Sequence, residues 1–325
     1  MSFHQLHPAF KHIVGSRPTI CLSVENTAYS FAHEAGVFIP GKDQLFITSN
    51  RIHVNKDSQR VQISKISWRD DGTCSQEEIY PDIPMANGGI NYNNGILFCS
   101  QGTYLQPSSL ILMESEAPYI CETLLDSFNG RQFNSINDVA VHRDGSIWFT
   151  DPIYGYEQKF RPSPQLPMQV YRYDPVTKAI RAMADGFGRP NGIAFSPDEN
   201  IVYITDTDCV HGDGNIDPSR ASTIYAFDIR FYEAQPFLTN RRLFAFVDCG
   251  VPDGIKCDLR GNVYGGCGDG IHVWSPGGVL LGKILIPGGV SNFCFGRPGE
   301  LWALNETRLW KVSLDSSCRG SLLKL

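Results

Sequence analysis

Apolar and polar residues alternate in short runs along nearly the whole chain, and one phrase of that alternation recurs. Asn191-Gly-Ile-Ala-Phe-Ser-Pro-Asp198 is followed by the run Ile201–Asp206. Asn137-Asp-Val-Ala-Val-His-Arg-Asp-Gly145 is followed by Ile147–Asp151, and Asp253-Gly-Ile-Lys-Cys-Asp-Leu-Arg-Gly261 by 262–266. Each copy is an alternating run, a turn carrying Gly or Asp, and a second alternating run, which predicts a β-hairpin. Three weaker copies open at Glu34, Asn87 and Asn292 and lead into 45–49, 96–100 and 301–304. The openings at 34, 87, 137, 191, 253 and 292 lie on average about 52 residues apart, an interval that suits one four-stranded blade with its loops. Further runs at 170–174, 180–183, 223–228, 242–246, 271–274 and 280–284 read as outer strands. No window sustains an i, i+3, i+4, i+7 apolar stripe. The chain is therefore expected to be all-β, a six-bladed β-propeller occupying residues 1–325 as one domain. A β-sandwich or a two-domain all-β protein is the alternative, and neither accounts for a phrase repeated six times.

The first letters of the six copies are Glu34, Asn87, Asn137, Asn191, Asp253 and Asn292. All carry a side-chain carbonyl or carboxylate oxygen. In a propeller, equivalent positions are related by rotation about the axis, so six oxygen-bearing side chains converge at one end of the central channel. Two carboxylates held close together repel, and burial adds to the cost. A divalent cation removes the conflict, with the amides filling further positions without added repulsion. An oxygen-only donor set favours calcium, with magnesium or manganese next; zinc is a weaker alternative, because no His or Cys joins the set. Asn or Asp ahead of Gly is also an ordinary turn signal, and that plainer reading weighs most on Asn87 and Asn292.

Composition narrows the partners. Hydrophobic residues make up 42% and charged residues 19% of the 325-residue chain, a globular balance. The formal net charge is −6 with Lys and Arg scattered, so no phosphate-tracking surface for nucleic acid is expected. No apolar leader or membrane-length apolar run is legible, which leads to the expectation of a cytoplasmic protein with a small-molecule substrate and no membrane partner. Oligomeric state is left open. The ten cysteines are far apart and several sit in apolar runs, so they read as reduced, buried thiols; one disulfide, involving Cys21, is the alternative.

Five segments together resemble a known family. They are His33-Glu34-Ala35-Gly36, Asn137-Asp138-Val139-Ala140-Val141, Trp148-Phe149-Thr150-Asp151-Pro152, Arg189-Pro190-Asn191-Gly192 and Val251-Pro252-Asp253-Gly254. The chain is similar over about residues 25–312 to the senescence marker protein 30, gluconolactonase and luciferin-regenerating-enzyme family, and the stretch 149–155 looks closest to lactonohydrolases and gluconolactonases. The resemblance implies that Glu34, Asn137, Asn191 and Asp253 bind one catalytic divalent metal. The segment before Asn137-Asp138 reads Phe133-Asn134-Ser135-Ile136 where the sugar-lactone branch carries Arg-x.

The function expected from these readings is a metal-dependent hydrolase that opens a lactone or related ester. The metal would act as Lewis acid, and Asp253, which can ligate as well, or a nearby acid would activate the water; Asn137 is the second residue expected to take part in catalysis. Substrate contacts are expected from Asn87, Asn292, Tyr154 and His211, the last in an acidic, Gly-rich loop at 206–215. Asp138 is either an orienting group for Asn137 or an Asx-turn residue. His272 reads as a core or solvated histidine. Two other classes use the same site: an isomerase or cyclase acting on a biosynthetic intermediate, and a regulatory propeller that holds calcium without turnover.

Overall fold

The computed structural model describes residues 1–55, 58–69 and 73–323. Six antiparallel sheets of four or five strands stand around a central axis, which is the expected propeller. Blade 1 runs Glu34–Ile39, Gln44–Thr48, Ile63–Trp68, Cys74–Ile79, and blade 2 runs Ala86–Tyr92, Gly95–Ser100, Ser109–Glu114, Cys121–Leu125. Blade 3 runs Val139–Val141, Ile147–Asp151, Gln169–Tyr173, Ile180–Ala184. Blade 4 runs Pro190–Phe195, Ile201–Asp206, Thr223–Tyr232, Gln235–Phe246; its two long outer strands account for the widest interval between repeats. Among the described residues no helix is long and apolar enough to cross a membrane.

Blades 5 and 6 are completed by the N-terminal segment. Blade 5 (Ile255–Cys257, Val263–Cys267, Gly270–Trp274, Leu280–Leu285) gains Ser2–Gln5 as an outermost strand, in the register Ser2↔Leu285. Blade 6 supplies only Asn292–Phe295, Glu300–Asn305 and Arg308–Ser313 from its own stretch. Its fourth strand is Thr19–Glu25, paired from Thr19↔Ser313 to Glu25↔Arg308. The first and last parts of the chain thus share one sheet and close the ring.

The core is a ring of wedges rather than one central mass. Six apolar clusters each fill the space between two neighbouring blades. Strand alternation explains this: Ile147 and Phe149 face blade 2, while Trp148 between them faces blade 4. Both faces of every blade are buried, so the middle strands read as nearly continuous apolar runs. All ten cysteines are free; five are buried, four are half-buried, and Cys21 is exposed.

Inner strands crowd at the axis, which gives the glycine after the first letter its role. A Cβ on Gly88 would lie 2.6 Å from the Asn137 carbonyl, one on Gly192 2.4 Å from the Asp253 carbonyl, and one on Gly254 2.3 Å from Asn292 Oδ1. These glycines stand where one blade's inner strand touches the next, and none of the three needs a positive φ.

Candidate active site

Repeated side-chain ties deliver the first letters to the axis. On blades 1, 3 and 4 the second strand carries a Thr whose hydroxyl donates to the next blade's first-letter carbonyl. Thr48 reaches Asn87 O (3.1 Å), Thr150 reaches Asn191 O (2.6 Å) and Thr205 reaches Asp253 O (3.0 Å). The following Asp on blades 3 and 4 holds the chain entering its own inner strand. Asp151 accepts from Asn134 N and Ser135 N (2.9 and 2.8 Å), and Asp206 from Gly188 N and Arg189 N (3.0 and 2.8 Å). Blade 1 uses a different device: Ala35, with φ 66°, and Gly36, with φ 81°, form a bulge directly after Glu34. A bulge re-aims the neighbouring side chain.

The result is a cavity of about 370 Å³ at one mouth of the channel, walled by Glu34, Asn87, Asn137, Asn191 and Asp253. Asn292, the sixth ring position, is not in the wall. It is buried behind Glu34, donating from Nδ2 to Glu34 Oε2 at 2.7 Å. Its Oδ1 accepts from Phe293 N (2.8 Å) and Lys256 Nζ (3.5 Å), and these two donors fix which way the amide faces. Asp138 also lies off the wall: its carboxylate accepts from Val139 N (2.9 Å) and from Ile193 N of blade 4 (3.1 Å), a tie between blades. His272 is core, bonded to Asp269 at 2.6 Å.

Several oxygens of the wall lack partners among the described residues. Asn87 Oδ1, Asn137 Oδ1 and Asp253 Oδ1 are buried without a hydrogen-bond partner. Burial, and then repulsion from Asp253, pushes the Glu34 carboxyl up. Burial also raises Asp253, against the pull of His33 and with the push of Asp138. Orphaned acceptors beside two disfavoured carboxylates are what a bound cation would relieve, so these residues fit the divalent ion that the donor chemistry suggests. Among the described residues no group of three or more His, Cys, Asp or Glu side chains has metal-holding geometry; the ring instead mixes two carboxylates with amides.

Tyr154 and His211 both line the cavity. Tyr154 opens the short helix Tyr154–Glu157 and its hydroxyl is bonded to Thr207. Burial holds its phenol protonated well above the ordinary range. Tyr156, on the same helix, is exposed. His211 presents a buried Nε2 without a partner. The loop at 207–214 is part of the wall, anchored through Arg189, which pairs with both Glu157 and Asp208, while Glu157 accepts from Gly212 N at 2.7 Å.

Sequence reading missed His33, Asn50, Arg51 and Gln158, which also line the cavity. His33 Nδ1 meets Glu306 at 2.6 Å, and Glu306 also accepts from Asn50 (3.2 Å). Burial opposes the charged imidazole, but Glu306 outweighs it and raises His33 to about 9. The partners are 273 residues apart, so no local spacing announces them.

The family model described as the SMP-30/gluconolactonase/LRE-like region matches residues 24–302. A lactonohydrolase of Aspergillus oryzae (oryL) is 28% identical over 324 residues, covering 92% of this chain and 71% of the relative. A gluconolactonase of Zymomonas mobilis is 32% identical over 188 residues, 54% of this chain and 49% of that protein. The solved structure of a gluconolactonase from Xanthomonas campestris superposes with a TM-score of 0.73 at 28% identity, covering 96% of this chain and 94% of the other.

Proposed function

The chain belongs to the SMP-30/gluconolactonase/LRE-like family, and from that premise we propose that it is a lactone hydrolase working in the cavity at the channel mouth. The observation that carries this reading is the set of orphaned oxygens on Asn87, Asn137 and Asp253, gathered in one wall with Glu34. A buried acceptor without a partner costs about 1–3 kcal/mol, so Asn137 and Asp253 call for a shared positive partner and Asn87 for a donor of its own. Relatives named lactonohydrolase and gluconolactonase support the reaction class.

Glu34, Asn137, Asn191 and Asp253 would hold one divalent cation, with calcium favoured by the all-oxygen set. Such an ion supplies Lewis-acid polarisation of an ester carbonyl and stabilises the charge that develops on it. The remaining work falls to side chains of this chain. Asn292, fixed by Phe293 N and Lys256, keeps Glu34 turned into the site. Asp253, with Oδ1 uncommitted, takes the proton of the water that attacks the lactone carbonyl carbon. Tyr154 stays a phenol and, with His211, borders the lactone ring and its departing alkoxide. Asn87 offers Oδ1 to water or to a substrate hydroxyl.

The test uses aldonolactones and aliphatic γ- and δ-lactones, with protein stripped by chelator and then reloaded with calcium. Ring opening should vanish on stripping and return with the ion. Asp253→Ala should lower kcat by about 10²–10⁴-fold, the range associated with a positioned base. Turnover that survives exhaustive chelation, or that Asp253→Ala leaves intact, overturns the reading.

A further inference from the structure

One cation in the wall has no carboxylate partner among the described residues. Arg51 follows the second strand of blade 1 and lines the same cavity as Glu34 and Asp253. It is half-buried. Its Nη1 donates to Gln59 Oε1 at 3.1 Å, and Gln59 is itself held by the Gln158 carbonyl at 2.9 Å. Its backbone N–H is taken by Asn50 Oδ1 at 2.7 Å. No carboxylate pairs with it among the described residues, and burial alone acts on the guanidinium, drawing its pKa below the ordinary value.

Three buried arginines have protein partners, although Arg172 Nε is left unpaired among the described residues. Arg161 donates to the carbonyls of Asn134, Thr103, Gln106 and Phe133. Arg172 faces Asp144, and Arg189 is shared by Glu157 and Asp208. A guanidinium carries five N–H donors in a planar fork, and among the described residues Arg51, which lines the cavity, commits one of them, on Nη1, to Gln59. Four carboxylates among the described residues have partners or roles of their own. Glu306 is held by His33, Asp213 caps the Asn215 amide at 3.0 Å, and Glu34 and Asp253 belong to the cation.

We propose that Arg51 is a specificity-determining residue that receives a carboxylate on the substrate, so that the preferred lactones carry an acid group besides the ring ester. This rests on the lactone-hydrolase reading of the cavity. A carboxylate matches the guanidinium fork with two parallel hydrogen bonds. One guanidinium balances one negative charge, whereas a phosphomonoester brings about −1.5 to −2 and calls for a second cation beside Arg51.

The experiment compares two lactones that differ only in charge, 5-oxotetrahydrofuran-2-carboxylate and the corresponding 2-carboxamide, on the calcium-loaded protein. Wild type should favour the carboxylate in kcat/KM. In Arg51→Met that preference should shrink by about 10- to 100-fold, as expected for a lost charge-assisted hydrogen bond. Arg51→Lys should keep part of it, and Arg51→Glu should reverse it; melting curves confirm that each variant folds. A wild type without preference, or a preference that Arg51→Met leaves unmoved, overturns the inference. Failure to open either ring overturns the lactonase reading instead. Calorimetric titration with the carboxylate then decides on Arg51 alone: tighter binding to wild type than to Arg51→Met supports the assignment, and equal binding removes it.

Discussion

Asn292 carries the ring's first letter yet works from behind it. With Oδ1 held by Phe293 N and Lys256 Nζ, its Nδ2 can only face Glu34. Groups that orient a metal ligand commonly matter about 10–100-fold for metal affinity. Asn292→Ala should therefore weaken calcium by about that factor in a titration. Lys256→Met should cost less, because it removes a long contact of 3.5 Å and leaves the Phe293 donor in place. Calcium affinity unchanged in Asn292→Ala would show that Glu34 needs no such support. At this scale the ring positions were legible because rotation about an axis converts a repeat into a cluster. What they touch was not. Arg51 and the His33–Glu306 pair follow no repeat, and their places depend on how loops of different blades meet over the cavity.

Inner hairpins were legible from alternation and turn residues, as were the outer strands of blades 3, 4 and 5, while those of blades 1, 2 and 6 were not. The ties between blades were written in the same phrase but in letters that look like ordinary strand residues. Thr150 accepts from Asp138 N (3.1 Å) and donates to Asn191 O (2.6 Å), so one hydroxyl joins two first-letter segments. Thr150→Val keeps the shape and leaves both buried groups unpaired. It should destabilise by about 1–3 kcal/mol in denaturant titration, with Thr150→Ser recovering most of the loss. A Val variant as stable as wild type would remove these hydroxyls from the account. The first hairpin of blade 3 adds a dependence on pH. Burial works against the Asp144 carboxylate, but the Ser146 hydroxyl and amide, then His142, outweigh it and hold it down at about 2. The folded value lies below the ordinary 3.8, so its contribution is complete above about pH 4 and is lost as pH falls towards 2. Asp144→Asn should flatten the stability profile across that window, and an acid limb of unchanged slope would assign the loss to other carboxyls.

At the scale of the whole molecule, closure was the part least legible. The repeat fixed six inner hairpins, but among the described residues blade 6 draws three strands from its own stretch, and the alternating run Thr19–Glu25 that completes it lies far away in sequence. Only the need to cover the edge of Arg308–Ser313 assigns that run a place. The seam it closes lies between blades 6 and 1, and three ties at the site cross it. Asn292 to Glu34 (2.7 Å), Ser291 Oγ to His33 O (2.6 Å) and His33 to Glu306 (2.6 Å) all cross it. Opening the ring would therefore pull Glu34 from its support, and a cation held jointly by Glu34 and Asp253 should in turn resist opening. Two truncations separate the contributions. Removing residues 1–18 deletes Phe10, Ile13 and Val14 from the blade 5–6 cluster and should lower the melting temperature while leaving a closed ring that binds calcium. Removing residues 1–26 also takes the closing strand, and should abolish both the cooperative transition and calcium binding. Glu25→Ala is the control, since its pair with Arg308 is exposed and worth less than about 1 kcal/mol. In the intact protein, calcium should slow hydrogen exchange of the amides in Thr19–Glu25, the outermost strand of blade 6. Exchange there that ignores calcium would uncouple seam from site, and the ring would then hold shut on packing alone.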